Sequence, residues 1–366
     1  MRKTAYLERK GKTMENQNGS SILVGMSGGL DSTYAAYRYK EQGFRVLGAV
    51  LRMSDETDIA AAQTAADQVG IPLEIIDARD AFDRHVKQYF ADAYAMGQTP
   101  NPCVECNRYV KVAMLCERAA ALGIERVSTG HYARILRDDN SDRYFVRAAD
   151  DKKKDQSYVL WQLPQWMLAM LDLPMAELDK AEVRSHAAAL GFTAASAKES
   201  QDICFLPNGG YIPFVEQRLG KPFPPGDFVD ENGRVVGRHE GIIRYTVGQR
   251  KGLGIALGHP VFVTKIDAVS NTVHLAPAGM EFGGGCTVEA LNFQKLSPED
   301  LHVGMAVRVK IRYAAPAARA VVTEIDGDRM TVRFDTPQRA VTPGQSAVFY
   351  DADGMDDILF GGRIVG

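Results

Sequence analysis

Short apolar runs alternate with longer amphipathic stretches over the first third of the chain. The runs predict buried strands at 22–24, 46–51, 73–76 and 126–129. Apolar positions at helical spacing predict helices over 59–70, 82–96 and 110–122. This alternation indicates an α/β fold with a parallel sheet between layers of helices. Ligands of such sheets bind beyond the carboxyl ends of the strands, so we expect the site at that edge.

The pattern changes toward the C-terminus. Helical spacing returns at 165–173 and 180–190, and glycine and proline become frequent from about Pro207. Short strands are predicted at 228–229, 235–236, 242–245 and 261–266, and longer alternating runs at 306–311, 319–325, 330–334 and 346–350. The longer runs are typical of a small β-barrel. We therefore expect a leader over 1–20, an α/β catalytic domain over 21–206, a small mainly β central domain over 207–280 and a β-barrel over 281–366.

Composition narrows the class of protein. The 366 residues exceed one ordinary core, and 45% hydrophobic with 24% charged residues is typical of a soluble globular protein. No apolar run reaches the roughly eighteen residues of a membrane span. The first residues are polar and basic without an apolar segment, which predicts a disordered leader and not a secretory signal. Five cysteines in such a chain indicate a reducing, cytoplasmic location.

Residues 25–32 read Gly-Met-Ser-Gly-Gly-Leu-Asp-Ser and directly follow the first predicted strand. We expect a helix to begin near Thr33, so the junction aims backbone N–H groups and a helix dipole at one point. Gly28 and Gly29 allow close approach of a ligand, and a phosphate is the usual ligand of such a loop. Asp31 would repel an anion, and so we expect it to hold Mg²⁺ or to cap the helix.

The loop differs from the Walker pattern because no Gly-Lys-Ser/Thr follows it. It is similar to the Ser-Gly-Gly-x-Asp-Ser loop of the ATP pyrophosphatases, the PP-loop superfamily. Members of that superfamily split ATP into AMP and pyrophosphate while adenylating a substrate. The resemblance implies an adenine nucleotide alpha hydrolase-like fold for the first domain.

A second feature is the segment Thr-Pro-Asn-Pro-Cys-Val-Glu-Cys-Asn at 99–107. Its two prolines predict an extended loop that leads into a helix from Asn107. A cysteine at a helix N-terminus has a lowered pKa, and Arg108 and Lys111 would lower it further. Cys103 and Cys106 also fit half of a zinc site or a redox pair. Zinc needs a second ligand pair, and a redox pair of the thioredoxin type needs its own βαβ unit.

The other cysteines differ in their surroundings. Cys204 follows the polar run 198–202, so we expect it in an exposed loop. Cys116 falls on the apolar side of its predicted helix and is expected in the core. Cys286 follows three glycines, and the sequence assigns it no role.

Seven motifs occur in the order of one known family. They are the loop at 25–32, the cysteine segment at 99–107, Thr-Gly-His-Tyr-Ala at 129–133, Lys-Asp-Gln-Ser-Tyr at 154–158, Ser-Gln-Asp-Ile-Cys-Phe at 200–205, and the blocks at 245–255 and 342–350. Together they resemble the tRNA-uridine 2-sulfurtransferases, the MnmA/TrmU family, from about residue 21 onward. That family makes 2-thiouridine at wobble position 34 of the tRNAs for Lys, Glu and Gln, using ATP, Mg²⁺ and persulfide sulfur.

The resemblance implies a role for individual residues. Cys106 would be the nucleophile and Cys204 the carrier of the persulfide, and the two would end as a disulfide. ATP would be bound by Gly25, Met26, Ser27, Gly28, Gly29, Leu30, Asp31, Ser32, Leu51 and Gly130. The tRNA would be contacted by Asn101, Pro102 and Cys103 at the target base, and by Lys154, Asp155, Gln156, Arg312 and Tyr313 elsewhere. A cysteine desulfurase or a sulfur-relay protein would supply the sulfur, and no resident metal is implied.

The prediction that the protein binds tRNA depends on local groups of basic residues, because the net charge of the whole chain is −3. The lysines at 152–154 form one basic group, and a second is formed by Arg244, Arg250, Lys251 and Arg312. Such groups suit phosphate contacts, although a lysine triplet taken alone is more typical of a solvated loop. A flipped base also needs a rigid loop beside a pocket, which the Pro-Asn-Pro segment would supply.

Two positions depart from the family. Many members have Asp where this chain has Cys103, which leaves the general acid or base open and makes Cys103 a competitor of Cys106 for the nucleophile. Some members have Met where this chain has Leu51, and either residue suits packing against adenine. Two other functions stay open: a synthetase that adenylates a small molecule, and a non-catalytic tRNA-binding or redox-binding module.

Overall fold

The computed structural model describes residues 19–197, 203–206 and 210–366. The predicted leader therefore lies almost wholly outside the described residues, as does the polar run 198–202. Across the described ranges, no helix has both the length and the apolar character that crossing a membrane requires. The fold class predicted from the sequence, an α/β unit followed by a small β unit and a β-barrel, is confirmed.

The first unit is built on a parallel sheet with strand order β3-β2-β1-β4-β7. Its strands are β1 (Ser21–Gly25), β2 (Arg45–Arg52), β3 (Leu73–Asp77), β4 (Arg126–Ser128) and β7 (Leu171–Asp172). The central strand β1 pairs with β2 on one side and with β4 on the other. Its middle residues are fully buried, as expected of a parallel strand covered on both faces.

Helices cover this sheet. They are α1 (Leu30–Glu41), α2 (Ile59–Val69), α3 (Arg79–Phe82), α4 (Tyr89–Ala95), α5 (Pro102–Cys106), α6 (Val112–Ala121), α7 (Gln165–Met170) and α8 (Lys180–Ala189). Two π-helices, Asp83–Gln88 and Asn107–Lys111, continue α3 into α4 and α5 into α6. Three short 3-10 helices, Ser157–Leu160, Thr193–Ser196 and Ile242–Arg244, lie farther along the chain, and a fourth spans Pro298–Asp300.

Two helix starts and one hairpin differ from the predictions. Helix α1 begins at Leu30 and not near Thr33, because the polar end of the loop already forms the first helical turn. The cysteine segment is helical from Pro102 and not extended, since proline at the first helical position lacks only an N–H that would be unbonded anyway. A hairpin of β5 (Ala133–Arg137) and β6 (Tyr144–Ala148) was not predicted.

The central unit follows helix α9 (Tyr211–Leu219), and its four strands have the order β10-β11-β8-β9. They are β8 (Gly226–Val229), β9 (Val235–His239), β10 (Val261–Asp267) and β11 (Thr272–Pro277). The predicted strand at 242–245 is instead the short 3-10 helix Ile242–Arg244, which begins after Gly241 at a φ of 117°.

The last unit is a closed barrel of six strands in the order β12-β15-β14-β13-β16-β17. They are β12 (Phe282–Phe293), β13 (Ala306–Lys310), β14 (Ala318–Asp326), β15 (Arg329–Arg339), β16 (Ser346–Asp351) and β17 (Ile358–Ile364). The barrel packs on the α/β unit, where Trp161 donates from Nε1 to Ser346 Oγ at 2.9 Å. Gly361 of β17 faces the same indole so closely that a Cβ there would lie 2.4 Å from the ring.

Candidate nucleotide and thiol site

A cavity of about 770 Å³ opens at the carboxyl edge of β1, β2 and β4. Most of the predicted ATP contacts line it, namely Gly25, Met26, Ser27, Gly29, Leu30, Asp31, Ser32, Leu51 and Gly130. The remaining one, Gly28, lies within the same loop. The cavity is therefore where the parallel sheet and the glycine-rich loop were expected to place a ligand.

The loop at 25–32 is organised by its own hydroxyl groups. Ser32 Oγ donates to Gly29 O at 3.1 Å, and Ser32 Oγ also accepts from Ser27 N at 3.2 Å. The first backbone hydrogen bond of α1 runs from Thr33 N to Gly29 O at 3.2 Å. The backbone N–H groups of residues 30–32 therefore have no acceptor within the helix. They lie at the cavity wall, where an anion with several oxygens would accept hydrogen bonds from them.

Two glycines are required for this geometry. Gly28 has a φ of 77°, and a Cβ there would lie 2.8 Å from Ala61 in the first turn of α2. Gly130 follows β4, and a Cβ there would lie 2.6 Å from the backbone nitrogen of Ser32. Any side chain at either position would push the loop out of place.

Asp31 is the carboxylate on the cavity wall within the described residues. Its Oδ1 accepts from the hydroxyl of Tyr132 at 2.9 Å and is bonded to the ammonium of Lys180 at the start of α8. The ring of Tyr132 lies under the same ammonium, 5.4 Å from its centroid. Mg²⁺ is usually held by one or two carboxylates together with substrate phosphates, so Asp31 fits this ion but shares its oxygen with a cation of the protein.

Other lining residues were not singled out from the sequence. His131 is buried and bonded through Nδ1 to Thr129 Oγ1 at 2.7 Å. Burial and the nearby Lys111 lower its pKa to about 3, so the imidazole stays neutral at physiological pH. Lys180 and Arg184 reach the cavity from α8. The motif at 129–133 pointed toward His131, whereas nothing local to the loop pointed toward α8.

The cysteines of the segment 99–107 lie on one helical turn. Cys103 is exposed near the start of α5, and Cys106 is buried at its end. Cys204 is exposed, and its charge would raise the pKa of both other thiols, so the three lie within electrostatic reach of one another. We call Cys103, Cys106 and Cys204 the thiol cluster. Cys116 is buried, as predicted, and Cys286 is buried in the barrel.

The expected lowering of the thiol pKa is wrong for these two helix residues. Loss of hydration of the sulfur raises the pKa of Cys103 although part of this residue reaches solvent, and burial raises the pKa of Cys106 to about 11. Lys111 acts in the opposite direction on both thiols, as predicted, but burial has the larger effect. For zinc, no group of three or more potential His, Cys, Asp or Glu ligands occurs within the described parts of the chain.

The residues predicted to contact tRNA divide into two groups. Lys154, Gln156 and Tyr313 line the cavity, and the pKa of Tyr313 is raised by burial and then by Asp155 and Cys103. Tyr313 also donates to the backbone oxygen of Asp155 at 2.9 Å, which brings the barrel to the cavity mouth.

The other group is engaged within the protein. The carboxylate of Asp155 accepts from the backbone nitrogens of Ala149 and Ser157 at 3.0 and 3.1 Å. Arg312 donates to Thr342 Oγ1 at 2.9 Å, within the barrel. Asn101 immediately precedes α5 and Pro102 begins it, so both lie beside the thiol cluster.

Comparison with known families and proteins gives three matches along the chain. Residues 20–208 match a tRNA methyl transferase HUP domain, 212–277 a tRNA methyl transferase PRC-barrel domain and 284–365 an aminomethyltransferase beta-barrel domain. The fold and the cavity thus define a HUP-domain protein with two appended β units. The chain belongs to the tRNA-specific 2-thiouridylase (MnmA) family, as its relatives show.

One relative, the tRNA-specific 2-thiouridylase MnmA of Acetivibrio thermocellus, is 43% identical over 359 residues, which cover 94% of this chain and 98% of that protein. The MnmA of Carboxydothermus hydrogenoformans is 41% identical over 358 residues, covering 94% and 97%. Among solved structures, a predicted subunit of tRNA methyltransferase from Methanocaldococcus jannaschii aligns with a TM-score of 0.32 at 17% identity, covering 46% of this chain and 76% of that chain. An NH3-dependent NAD synthetase from Campylobacter jejuni aligns with a TM-score of 0.31 at 16% identity, covering 52% and 70%. These two scores are too low for either likeness to bear on function.

Proposed function

We propose that the protein is a tRNA-uridine 2-sulfurtransferase. It uses ATP to adenylate the C2 oxygen of uridine 34 in tRNA and replaces that oxygen with sulfur, giving 2-thiouridine, AMP and pyrophosphate. The observation that carries the proposal is a thiol cluster beside a cavity whose wall is a phosphate-type loop. The naming of relatives that cover nearly the whole chain supports it. Methyl transfer, which the family-domain names suggest, would leave both features without a use.

The loop at 25–32 would bind the phosphates through the N–H groups at the start of α1. Leu51, buried at the end of β2, would pack against adenine, and Gly130 would allow the close approach of the two loops. Asp31 would hold Mg²⁺ together with the phosphates, and the ion would neutralise charge on them. Lys180 would then give up part of its bond to Asp31 and turn toward the triphosphate.

The sulfur chemistry would use Cys204 and Cys106. A cysteine desulfurase or a relay protein would leave a persulfide on Cys204. The terminal sulfur would attack C2 of the adenylated uridine, either directly or after Cys106 releases it as hydrosulfide, and AMP would leave with the electrons of the C2–O bond. In both routes Cys106 and Cys204 supply the two electrons that the sulfur needs and end as a disulfide, which an external thiol must reduce.

Asn101, Pro102 and Cys103 would surround the target base, since they lie at the start of α5 beside the thiols. Lys154, Asp155, Gln156, Arg312 and Tyr313 would contact the tRNA, and the position of three of them at the cavity supports this. Asp155 and Arg312 would in addition hold the contact surface in shape through their inward hydrogen bonds. The tRNAs for Lys, Glu and Gln are the expected substrates, and the cytoplasm is the expected location.

Thiolation of an unmodified glutamate tRNA transcript tests the proposal. The protein is incubated with ATP, Mg²⁺ and either a cysteine desulfurase with L-cysteine or inorganic sulfide, and 2-thiouridine is detected by retardation in a mercury-containing gel. Cys106→Ser should abolish thiolation with the desulfurase. Cys204→Ser should abolish it with the desulfurase but retain it with sulfide, because sulfide needs no persulfide carrier.

Cys286→Ser is the matched control, since this thiol is buried in the barrel away from the cavity. Loss of activity in Cys103→Ser but not in Cys106→Ser would assign the nucleophile to Cys103. A wild-type protein that binds ATP but thiolates no tRNA would favour the small-molecule synthetase instead.

A further inference from the structure

Lys111 lies at the boundary between the nucleotide cavity and the thiol cluster. It is the last residue of the π-helix Asn107–Lys111, and it lines the cavity together with Asp31 and Gly130. The same residue lies one π-helical turn after Cys106, so the two are neighbours along the helix. Single turns of π-helix are often found at functional sites. Here the π-helical hydrogen bonding joins residues five positions apart, which places Lys111 next to Cys106.

The ammonium of Lys111 has two sets of neighbours. It lowers the pKa of the thiols of Cys103 and Cys106, and it lowers the pKa of His131 on the cavity wall. Among the described residues, the side chain is half-buried and is paired with no carboxylate. A half-buried cation in this position is complementary to an anion that arrives with the substrates.

The proposed reaction places two anions at this boundary. In the adenylated uridine, the α-phosphorus is joined to the base through the C2 oxygen, so the α-phosphate must lie where the cavity meets the thiols. When sulfur attacks C2 and the C2–O bond breaks, negative charge grows on that phosphate. Cys106 must also lose its proton before its sulfur can attack the persulfide.

We propose that Lys111 is a catalytic residue whose ammonium binds the α-phosphate during adenylation and stabilises the Cys106 thiolate during sulfur transfer. This inference rests on the proposed function of the site. One ammonium group then acts in both half-reactions, and only a change in the conformation of the Lys111 side chain is needed between them. In the direct route the charge also links them, since departure of AMP leaves the ammonium with the Cys106 thiolate as its anionic neighbour before Cys106 attacks the persulfide.

Two measurements on the full-length protein test this assignment. The first is the rate at which iodoacetamide alkylates Cys106, followed by mass spectrometry of its peptide without ATP or tRNA. The groups that face this thiol are Cys103, Cys204 and Lys111. Lys111→Gln should slow alkylation about tenfold near pH 8, since loss of one adjacent charge raises a thiol pKa by about one unit. Lys111→Arg should retain most of the rate.

The second measurement is the single-turnover rate of AMP formation from ATP with a glutamate tRNA transcript. Lys111→Gln should lower this rate about a hundredfold, as expected for removal of one transition-state contact. Lys153→Gln is the matched control, because Lys153 lines the same cavity from an exposed loop and is not among the groups that shift the thiols. It should leave the alkylation rate of Cys106 unchanged.

The proposal requires both effects. If Lys111→Gln changes only one of the two rates, or if Lys153→Gln slows alkylation equally, the shared role of the ammonium is overturned. Thermal unfolding of each variant shows whether the fold is intact, and Lys111→Arg keeps the test valid if the glutamine variant does not fold. A wild-type protein without tRNA-dependent AMP formation would contradict the proposed function, whereas the alkylation result would still decide the effect of Lys111 on Cys106.

Discussion

Burial controls the ionisation of Cys106 before any substrate is bound. The side chain is 7% exposed, and loss of hydration raises the pKa of its thiol to about 11 despite the nearby ammonium of Lys111. The free protein therefore holds Cys106 as a neutral thiol at neutral pH, a form that resists oxidation. In the proposed reaction Cys106 is the nucleophile, and it becomes reactive only when its surroundings change. Arrival of the tRNA base beside it is the change that this reaction supplies.

This state predicts the pH dependence of Cys106 alkylation in the free protein. Because a raised pKa leaves less thiolate below it, the rate should rise with pH up to about 11 and not level off near the ordinary value of 9.0. Two pKa units correspond to about a hundredfold less thiolate than a free cysteine has in the neutral range. Peptide mass spectrometry after timed alkylation measures the rate, and Cys204, which is exposed, serves as the internal reference. A plateau at or below pH 9 for Cys106 would contradict the prediction.

Gly130 offers a second prediction at the scale of one residue. In Gly130→Ala, the added methyl group would lie 2.6 Å from the backbone of Ser32 and 2.7 Å from that of Asp31, so the nucleotide loop must shift. We expect ATP to bind at least tenfold more weakly and the fold to lose about 1–3 kcal/mol. Calorimetric titration with ATP measures the first effect. Gly284→Ala is the control, because a Cβ at Gly284 would meet no atom within 4 Å, and unchanged binding in Gly130→Ala would refute the role.

At the scale of elements, the strand-to-helix loop was predictable because its residues are neighbours in sequence. The run of small residues at 25–32 forms the loop by local hydrogen bonds alone, such as Ser32 Oγ to Gly29 O. The apolar strand before it needs only its own side chains to be recognised. This part of the cavity wall could therefore be predicted from the sequence pattern and the family motifs together.

The rest of the site depends on contacts that no local pattern carries. Lys180 meets Asp31 across 149 positions of the chain, and Tyr313 meets Asp155 across 158. The π-helix at Asn107–Lys111 has the same apolar spacing as an α-helix, so its change of register is not visible in the sequence. The helix at Pro102 was missed because proline both breaks helices and begins them, and only its position decides which.

The short segment that carries Cys204 is held by apolar side chains on both sides of the cysteine, and Phe205 is the aromatic one. Phe205 packs against Phe82, Phe90 and Phe214 at ring-centroid distances of 5.7, 5.3 and 5.2 Å. The thiol of Cys204 directly precedes this anchor. The packing of this ring in the cluster between α3, α4 and α9 therefore helps to fix the position of Cys204 relative to Cys106.

We predict that Phe205→Ala slows disulfide formation between Cys106 and Cys204 about tenfold, because the segment that carries Cys204 loses the ring packing that fixes its position. Diamide is added to the protein, and the disulfide is followed by non-reducing peptide mapping. The rate of Cys204 alkylation should stay unchanged, since the thiol remains exposed. Phe214→Ala removes a ring from the same cluster but not from the segment, so an equal slowing in that variant would mean that the cluster matters only for stability.

At the scale of the whole molecule, the barrel clamps the cysteine segment from outside the α/β unit. Gln345 donates from Nε2 to Thr99 O at 2.7 Å, and Thr99 N donates to Pro343 O at 2.9 Å. Farther along the segment, Arg363 of β17 lies 3.2 Å from the carboxylate of Glu105, between the two cysteines of α5. The last domain thus contributes to the geometry of the thiols as well as to the cavity mouth.

The Arg363–Glu105 pair makes this coupling measurable. Glu105 is buried, and burial raises its pKa while Arg363 acts in the opposite direction. Replacing Arg363 by methionine removes the ion-pair partner of a buried carboxylate, which should lower the free energy of unfolding by about 3 kcal/mol near neutral pH. The pKa of Glu105 must then rise further above its unfolded value. A raised folded-state pKa of a carboxyl group favours the folded state below the unfolded pKa, and this contribution is lost as pH rises through the folded pKa.

The free energy of unfolding of Arg363→Met should therefore be only slightly below that of the wild type near pH 4.5, where Glu105 is protonated in the variant. The difference should grow toward pH 8. Urea unfolding at both pH values measures it. Glu105→Gln in the Arg363→Met background removes the charge and should restore most of the loss near pH 8, because an amide needs no counterion. A deficit that is equal at both pH values, or that the double variant keeps, would mean that Arg363 acts through its packing over Tyr89, 5.2 Å from that ring, and not through its charge. If the charge holds the barrel to α5, Arg363→Met should also lower the rate of tRNA thiolation. The double variant should then restore that rate together with the stability.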